Sequence, residues 1–382
     1  MTAAAPVPGA PGFAAYPAKP VDVQQIEREL TAMWSAPLGG AAPTDAPVTR
    51  ACMSNLIVYV PDQAAAARLG DEVVPIVEHH PSRVLMLVAE GASSGEPLEA
   101  YVSALCHLGD AGRQVCSEHV VISAAGGAIR RLPSVVRPLI LGDLPTALWW
   151  TGGKPPPQGG DLFRELSVDA SQVVFDSLEW PGGDAQAHGF VATATWAAGL
   201  PKTDGVSDLA WTRLGPWRSL VSQALDPAVA PGALAALSDV EIEHGAQTAP
   251  KAWLLIAWMA DRLRWKLAGA RRAGERHFEW TYTRRDGGSA RVASRPAASG
   301  QEDAFGARLR SGAGAQAKEV TVVRSAGDRI SIIGAATPTH AVVMPYRSRA
   351  ALVAQELADL GRDAIYRASL DDARLLVEKA IA

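Results

Sequence analysis

Apolar residues along this chain follow two different periods. Ile26, Leu30, Met33 and Trp34 recur at three and four residues, which predicts a helix over 21–35. After a Pro, Gly and Ala-rich stretch at 36–49, the run Asn-Leu-Ile-Val-Tyr-Val at 55–60 is continuous enough for a strand buried on both faces. A helix follows over 64–77 and closes ahead of Pro81, and a second buried strand follows at 84–89. Strand, helix and strand in that order open a parallel α/β sheet. The runs at 101–105 and 115–123 lie too close together for a crossover helix, so they are expected to pair antiparallel and make the sheet mixed. A helix over 129–140, interrupted by Pro133 and Pro138, leads to strands at 146–150 and 173–175.

A Gly and Pro-containing break at 199–205 separates this from a second pattern. Leu209, Trp211, Leu214, Trp217, Leu220 and Val221 mark an amphipathic helix, 240–245 reads as a strand, and 252–267 as an apolar helix. The period then becomes two. Segments 278–283, 290–294, 307–310, 320–325 and 329–334 are expected as successive antiparallel strands, with a tight hairpin through Ala326-Gly327-Asp328, before helices at 349–360 and 371–381. The expected fold class is therefore α/β and α+β in two domains. Residues 1–20 form a disordered lead-in, 21–198 a mixed α/β sheet domain, and 206–382 a domain of helices packed on an antiparallel sheet.

Composition narrows the function classes. A chain of 382 residues with 48% hydrophobic and 20% charged residues can bury large cores. The net charge of -4, with basic pairs scattered at Arg130-Arg131, Arg271-Arg272 and Arg284-Arg285, argues against nucleic acid as a partner. The longest apolar run, 252–260, is far short of the ~20 residues that cross a bilayer, so no membrane association is expected. Three cysteines make no disulfide framework, and the N-terminus lacks the charged start and apolar stretch of a signal peptide. Both features point to the cytoplasm.

Candidate chemistry is sparse. Gly91-Ala92-Ser93-Ser94-Gly95 matches the nucleophile elbow of α/β hydrolases, with Ser93 as nucleophile, but Pro97 intervenes where a helix is needed, and a surface turn is the preferred reading. Cys106, His107, Cys116 and His119 are zinc-ligand types at a spacing that fits no known knuckle, and buried small residues explain the cysteines better. If their strands pair, Cys106 and Cys116 could approach closely enough for a redox-sensitive disulfide, but register is not legible in the sequence. Gly152-Gly153-Lys154 lacks the first glycine and the hydroxyl residue of a phosphate loop. No G-x-G-x-x-G follows a strand and no H-E-x-x-H occurs, so no catalytic residue, metal site or cofactor is assigned. The 11 tryptophans exceed the 6 Phe and the 6 Tyr, which suits binding hot spots, although helical spacing assigns most of them to cores.

Four segments then carry a resemblance. His79-His80-Pro81-Ser82-Arg83 precedes a buried strand, and Asp143-Leu144-Pro145 precedes Trp149-Trp150. Asp208-Leu209-Ala210-Trp211-Thr212-Arg213 runs on to Trp217-Arg218, and Asp363-Ala364-Ile365-Tyr366 stands near the end. In this order they resemble the glucose-6-phosphate dehydrogenase assembly protein family, OpcA. The resemblance implies a non-catalytic cytoplasmic protein that binds glucose-6-phosphate dehydrogenase and promotes its active oligomer, with the chemistry on the partner. Partner contact is expected at Trp150, Arg213 and Arg218. The other motif positions, His80, Pro81, Ser82, Arg83, Asp143, Pro145, Trp149, Trp211, Trp217 and Tyr366, have structural readings: Pro81 and Ser82 in a turn, Arg83 held by a carboxylate, and at most one of Trp149 and Trp150 in a core if the sheet is covered on one side. A hydrolase using Ser93 and a regulator binding a sugar phosphate are the competing functions.

Overall fold

The structure is a computed structural model that describes residues 19–35, 48–91, 97–108, 114–312, 317–324, 329–334, 340–344 and 346–382. In chain order the first half contains strand β1 (Lys19–Pro20), helix α1 (Val23–Ser35), β2 (Val48–Arg50), β3 (Ser54–Val60), α2 (Gln63–His79), β4 (Ser82–Glu90), β5 (Leu98–Leu108) and β6 (Gln114–Ala125). Next come α3 (Leu132–Val136), β7 (Thr146–Trp150), α4 (Gly160–Val168), β8 (Gln172–Phe175), α5 (Asp184–Ala198) and β9 (Gly205–Asp208). The strands lie side by side as β1-β5-β6-β4-β3-β7-β8-β9, with β2 beside β6. Six of them, from β6 to β9 across the sheet, are parallel. Numbered along the chain, those six run 3-2-1-4-5-6, the order of doubly wound sheets. The expected antiparallel pair is β5 and β6.

This sheet is covered on both faces. Leu56, Val58, Val84, Met86 and Trp149 pack under α2, while Ile57, Leu85, Leu148, Trp150 and Val173 pack on the other face under α3, α4 and α5. Trp149 and Trp150 do point to opposite faces, but both are buried, at 1% and 3% exposure. The expectation that at most one would be core rested on a sheet covered on a single side.

The second half contains α6 (Leu209–Arg213), α7 (Gly215–Ala224), α8 (Ala233–Ala236), β10 (Leu237–His244), α9 (Ala249–Leu263), β11 (Lys266–Gly274), β12 (His277–Thr283), β13 (Ser289–Pro296), β14 (Phe305–Ser311), β15 (Lys318–Arg324), β16 (Arg329–Gly334), β17 (His340–Val343), α10 (Arg349–Asp359) and α11 (Ala364–Ile381). Its sheet runs β11-β12-β13-β10-β14-β15-β16-β17. Helices α9 and α11 cover one face, and α5 joins them as Phe190 packs 5.3 Å from Trp253. The opposite face carries a ladder of ion pairs, among them Arg291 with Asp239, Arg308 with Glu241 and Arg310 with Glu319. A single apolar core continues from the first sheet through this helical layer into the second.

Several sequence expectations change. The helix expected over 129–140 is α3 flanked by two short three-ten turns, because Pro133 and Pro138 lack the N–H that helix continuation needs. The helix expected from 209 to 221 is broken into α6 and α7 at Gly215-Pro216. α9 stops at Leu263, where Arg264 takes φ 53°, and β11 follows, an edge strand whose apolar residues do not alternate. β13 and β14 are not neighbours, since β10 lies between them and runs parallel to β13. β9 belongs to the first sheet and so crosses the break expected at 199–205, and α10 returns to pack on α2. α11 begins at 364 instead of 371 because Asp363 caps it. The hairpin residues Ala326-Gly327-Asp328 lie outside the described residues, but β15 and β16 pair antiparallel on either side of them. Among the described residues no helix is long and apolar enough to cross a membrane.

Candidate functional site

Doubly wound sheets place their ligands outside the carboxyl ends of the strands where the strand order reverses, here between β3 and β7. A dinucleotide needs glycines after the first strand so that the backbone can approach its pyrophosphate, and free N–H groups at the following helix. The residues here are Val60-Pro61-Asp62-Gln63. Asp62 caps α2, accepting from the Ala65 N–H at 2.7 Å, and so places a carboxylate where the phosphates belong. From the opposite strand, Gly152 has φ 95° and comes so close to Pro61 that an added Cβ would lie 2.8 Å from its ring. Thr151 Oγ1 donates to the Tyr59 carbonyl at 2.6 Å, and the Trp150 ring stacks on Tyr59 at 3.8 Å between centroids. These residues do not fit a dinucleotide.

The ends of β8 and β9 hold acids. Asp176 caps a short turn and pairs with Arg213 at 2.8 Å, while Asp208 caps α6 through the Ala210 N–H at 2.9 Å and also accepts the Ser177 N–H at 3.1 Å. Burial, reinforced by the charge of Asp176, pushes the Asp208 carboxyl up to about 7. Arg349 from α10 bridges Glu72 of α2 and Glu179, tying both sides of the crevice together. Lys251, on the first turn of α9, lies near enough to Asp176 and Arg213 to feel their charges, with its ammonium against the Phe305 ring; a lysine in an apolar helix carries no local signal in the sequence.

The four motif segments gather in two places. At the amino ends of the parallel strands, His80 is buried, Pro81 accepts the Met53 N–H, and the Ser82 and Ser54 hydroxyls lie 2.8 Å apart. Arg83 is held by Glu118 at 2.6 Å, Glu27 at 2.8 Å and the Leu139 carbonyl, and Asp143 and Pro145 are exposed in the loop before β7. The other two segments meet beyond β9. Asp363 accepts from the Ile365 and Tyr366 N–H groups and from Trp211 Nε1 at 2.8 Å, and the Trp211 and Tyr366 rings lie 5.6 Å apart. Arg218 stacks on the Trp211 ring at 3.5 Å, and Trp217 packs edge-on against Phe305. The three expected partner contacts form no common surface. Trp150 is core, whereas Arg213 and Arg218 are half-buried.

Ser93 lies outside the described residues, and the next described element is β5, not the helix an elbow requires. Cys106 and Cys116 are directly opposite across β5 and β6 and are joined by a disulfide, which replaces the reading of two separate buried thiols. His119 is buried, donating to or accepting from Ser103 Oγ at 3.2 Å, and burial lowers its pKa to about 4.

Residues 74–189 match the family profile described as the N-terminal domain of a glucose-6-phosphate dehydrogenase subunit, and residues 204–370 match its C-terminal domain, both OpcA profiles. The chain belongs to the OpcA family. It is 28% identical over 205 residues to an OxPP cycle protein OpcA of Nostoc punctiforme, covering 53% of this chain and 42% of that one. To the Synechocystis OpcA protein it is 25% identical over 192 residues, covering 50% and 38%. The matched stretch thus spans about two-fifths of these relatives' length. Among solved structures, an oxidoreductase from Sinorhizobium meliloti aligns with TM-score 0.48 at 10% identity, over 86% of this chain and 96% of that one. A glucose-6-phosphate 1-dehydrogenase from Mycobacterium avium aligns with TM-score 0.46 at 10% identity, over 86% and 91%.

Proposed function

We propose that this OpcA-family chain is a non-catalytic, cytoplasmic partner of glucose-6-phosphate dehydrogenase that binds the enzyme and promotes its active oligomer, in support of the oxidative pentose phosphate pathway. The observation that carries this reading is the closed switch point: the sheet has the strand order of a dinucleotide-binding domain, yet Pro61, Gly152 and the capping carboxylate of Asp62 occupy the phosphate position. A scaffold without its phosphate cradle is suited to act through its surfaces, and the family's description supports glucose-6-phosphate dehydrogenase as the partner.

Arg213 and Arg218 remain the residues favoured for partner contact. Both side chains are half-buried, that of Arg213 at 27% exposure, and each is held by Asp176 or by the Trp211 ring, so little side-chain entropy is lost on docking. Trp150 is withdrawn from the interface because it is buried. An activator of this kind shifts the dehydrogenase only by binding its active arrangement more tightly than the alternatives. Co-elution of the two purified proteins, with dehydrogenase activity measured across a titration of this chain, tests the reading; separate elution with unchanged activity rejects it.

A further inference from the structure

A strand at the end of a sheet offers unpaired N–H and C=O groups to any other strand, so folded proteins guard such edges with charge, proline, irregular register or a covering segment. The strand orders of the two sheets end on β1, β9, β11 and β17. Three of these are guarded. β1 consists only of Lys19 and Pro20. β9 is buried, and the chain after α10 packs on it so closely that a Cβ on Gly205 would lie 2.6 Å from the Leu360 carbonyl oxygen. β11 carries Lys266, Arg271 and Arg272 and has two irregularities in its register.

β17 differs. It closes the second sheet beside β16, and among the described residues no strand pairs with its other side. Ala341, Val342 and Val343 are all exposed, Val343 at 61%, and none of them carries a charge. The register sets Ala341 opposite Ser331 and Val343 opposite Arg329, so both share with the exposed Ile333 the face of the sheet that carries the ion pairs. Tyr346, three residues beyond Val343, is 80% exposed. The adjacent cation, Arg347, is held by Gln355 of α10 at 2.7 Å. Exposed apolar surface thus gathers at the one edge that lacks a guard. An antiparallel strand pair is self-complementary about a two-fold axis, so an open edge finds its complement in the same edge of a second copy. Because the other three edges are closed to this role, β17 is the strand that a second copy offers.

We propose that β17 is the edge through which this chain pairs with a second copy of itself, the two β17 strands lying antiparallel and joining the two second sheets into one. The association needs this chain alone and is independent of dehydrogenase binding. Sedimentation equilibrium of the full chain by itself should show a monomer–dimer equilibrium, and hydrogen exchange of the 340–343 amides should slow as concentration rises. Val343→Lys gives β17 the charge that guards β11 and should weaken association by roughly tenfold or more. Ala341→Lys, exposed on the same face, should do likewise, and it decides the matter if the first variant fails to fold. Val168→Lys, at the exposed end of α4, should leave association unchanged. A chain that stays monomeric at its highest soluble concentration overturns the proposal, as does a dimer that both β17 variants leave intact or that Val168→Lys dissociates. Protection of the 340–343 amides that arises only when glucose-6-phosphate dehydrogenase is added overturns pairing with a second copy and assigns the edge to the enzyme.

Discussion

Replacing Asp363 by alanine should disrupt the contact where the two late motif segments meet. Its carboxylate caps α11 through two backbone N–H groups and also accepts the indole N–H of Trp211, a ring only 4% exposed. Loss of a cap costs about 1 kcal/mol. Leaving the buried indole N–H unpaired costs about 1–3 kcal/mol more. The expected total for Asp363→Ala is therefore about 2–4 kcal/mol. Asp363→Asn, which keeps a capping oxygen, should lose far less. Urea unfolding followed by tryptophan fluorescence and circular dichroism measures all three proteins. Trp211→Phe keeps an aromatic ring, though a smaller one, and removes the donor, so a double-mutant cycle with Asp363→Ala should return a coupling of about 1 kcal/mol. A loss below about 0.5 kcal/mol for Asp363→Ala, or strict additivity in the cycle, refutes the idea that this hydrogen bond joins α6 to α11.

Asp208 predicts a pH effect of definite sign. Its folded-state pKa of about 7 lies above its ordinary value of 3.8, so between these limits the native state holds a proton that the unfolded chain releases. This stabilising contribution is full below about pH 4 and is lost as pH rises to about 7. Asp208→Asn should flatten unfolding free energy over that window, and an unchanged slope would count against the assignment. Gly152→Ala should lose about 1–3 kcal/mol, because φ 95° is strained for alanine and its Cβ meets Pro61; a neutral result in thermal unfolding argues against the close approach. Millimolar NADP⁺ should leave the unfolding transition in place, whereas stabilisation of about 2.7 kcal/mol, the value expected at a hundredfold excess over Kd, contradicts the closed switch point.

The central strands were legible because both their faces are buried, which writes them as unbroken apolar runs such as 55–60 and 84–89. β11 was not, since Lys266–Gly274 is an exposed edge with two irregularities in register and no apolar alternation. Nor was the end of α9, because Arg264 adopts a left-handed conformation without the glycine that usually announces one. Long-range placement was the larger gap. Nothing local to 349–359 says that this helix returns to α2, and nothing near Trp211 or Asp363, 152 positions apart, says that they touch. The reversal of strand order at β3 and β7 likewise required the topology, although the residues that close it, Pro61, Asp62 and Gly152, were in view throughout. Cys106 and Cys116 were recognised as a possible pair, and only the register of β5 against β6 set them opposite one another.

We propose that this chain acts on glucose-6-phosphate dehydrogenase without chemistry of its own. The most direct measurement is dehydrogenase activity together with particle mass, for the enzyme alone, this chain alone and the mixture at saturating ratio. The expected result is no turnover by this chain, a complex of larger mass in the mixture, and a rise in activity, where a tenfold rise corresponds to ~1.4 kcal/mol of preferential binding to the active arrangement. Turnover of glucose 6-phosphate by this chain alone, or a mixture whose mass and activity are simply those of the separate proteins, would contradict it.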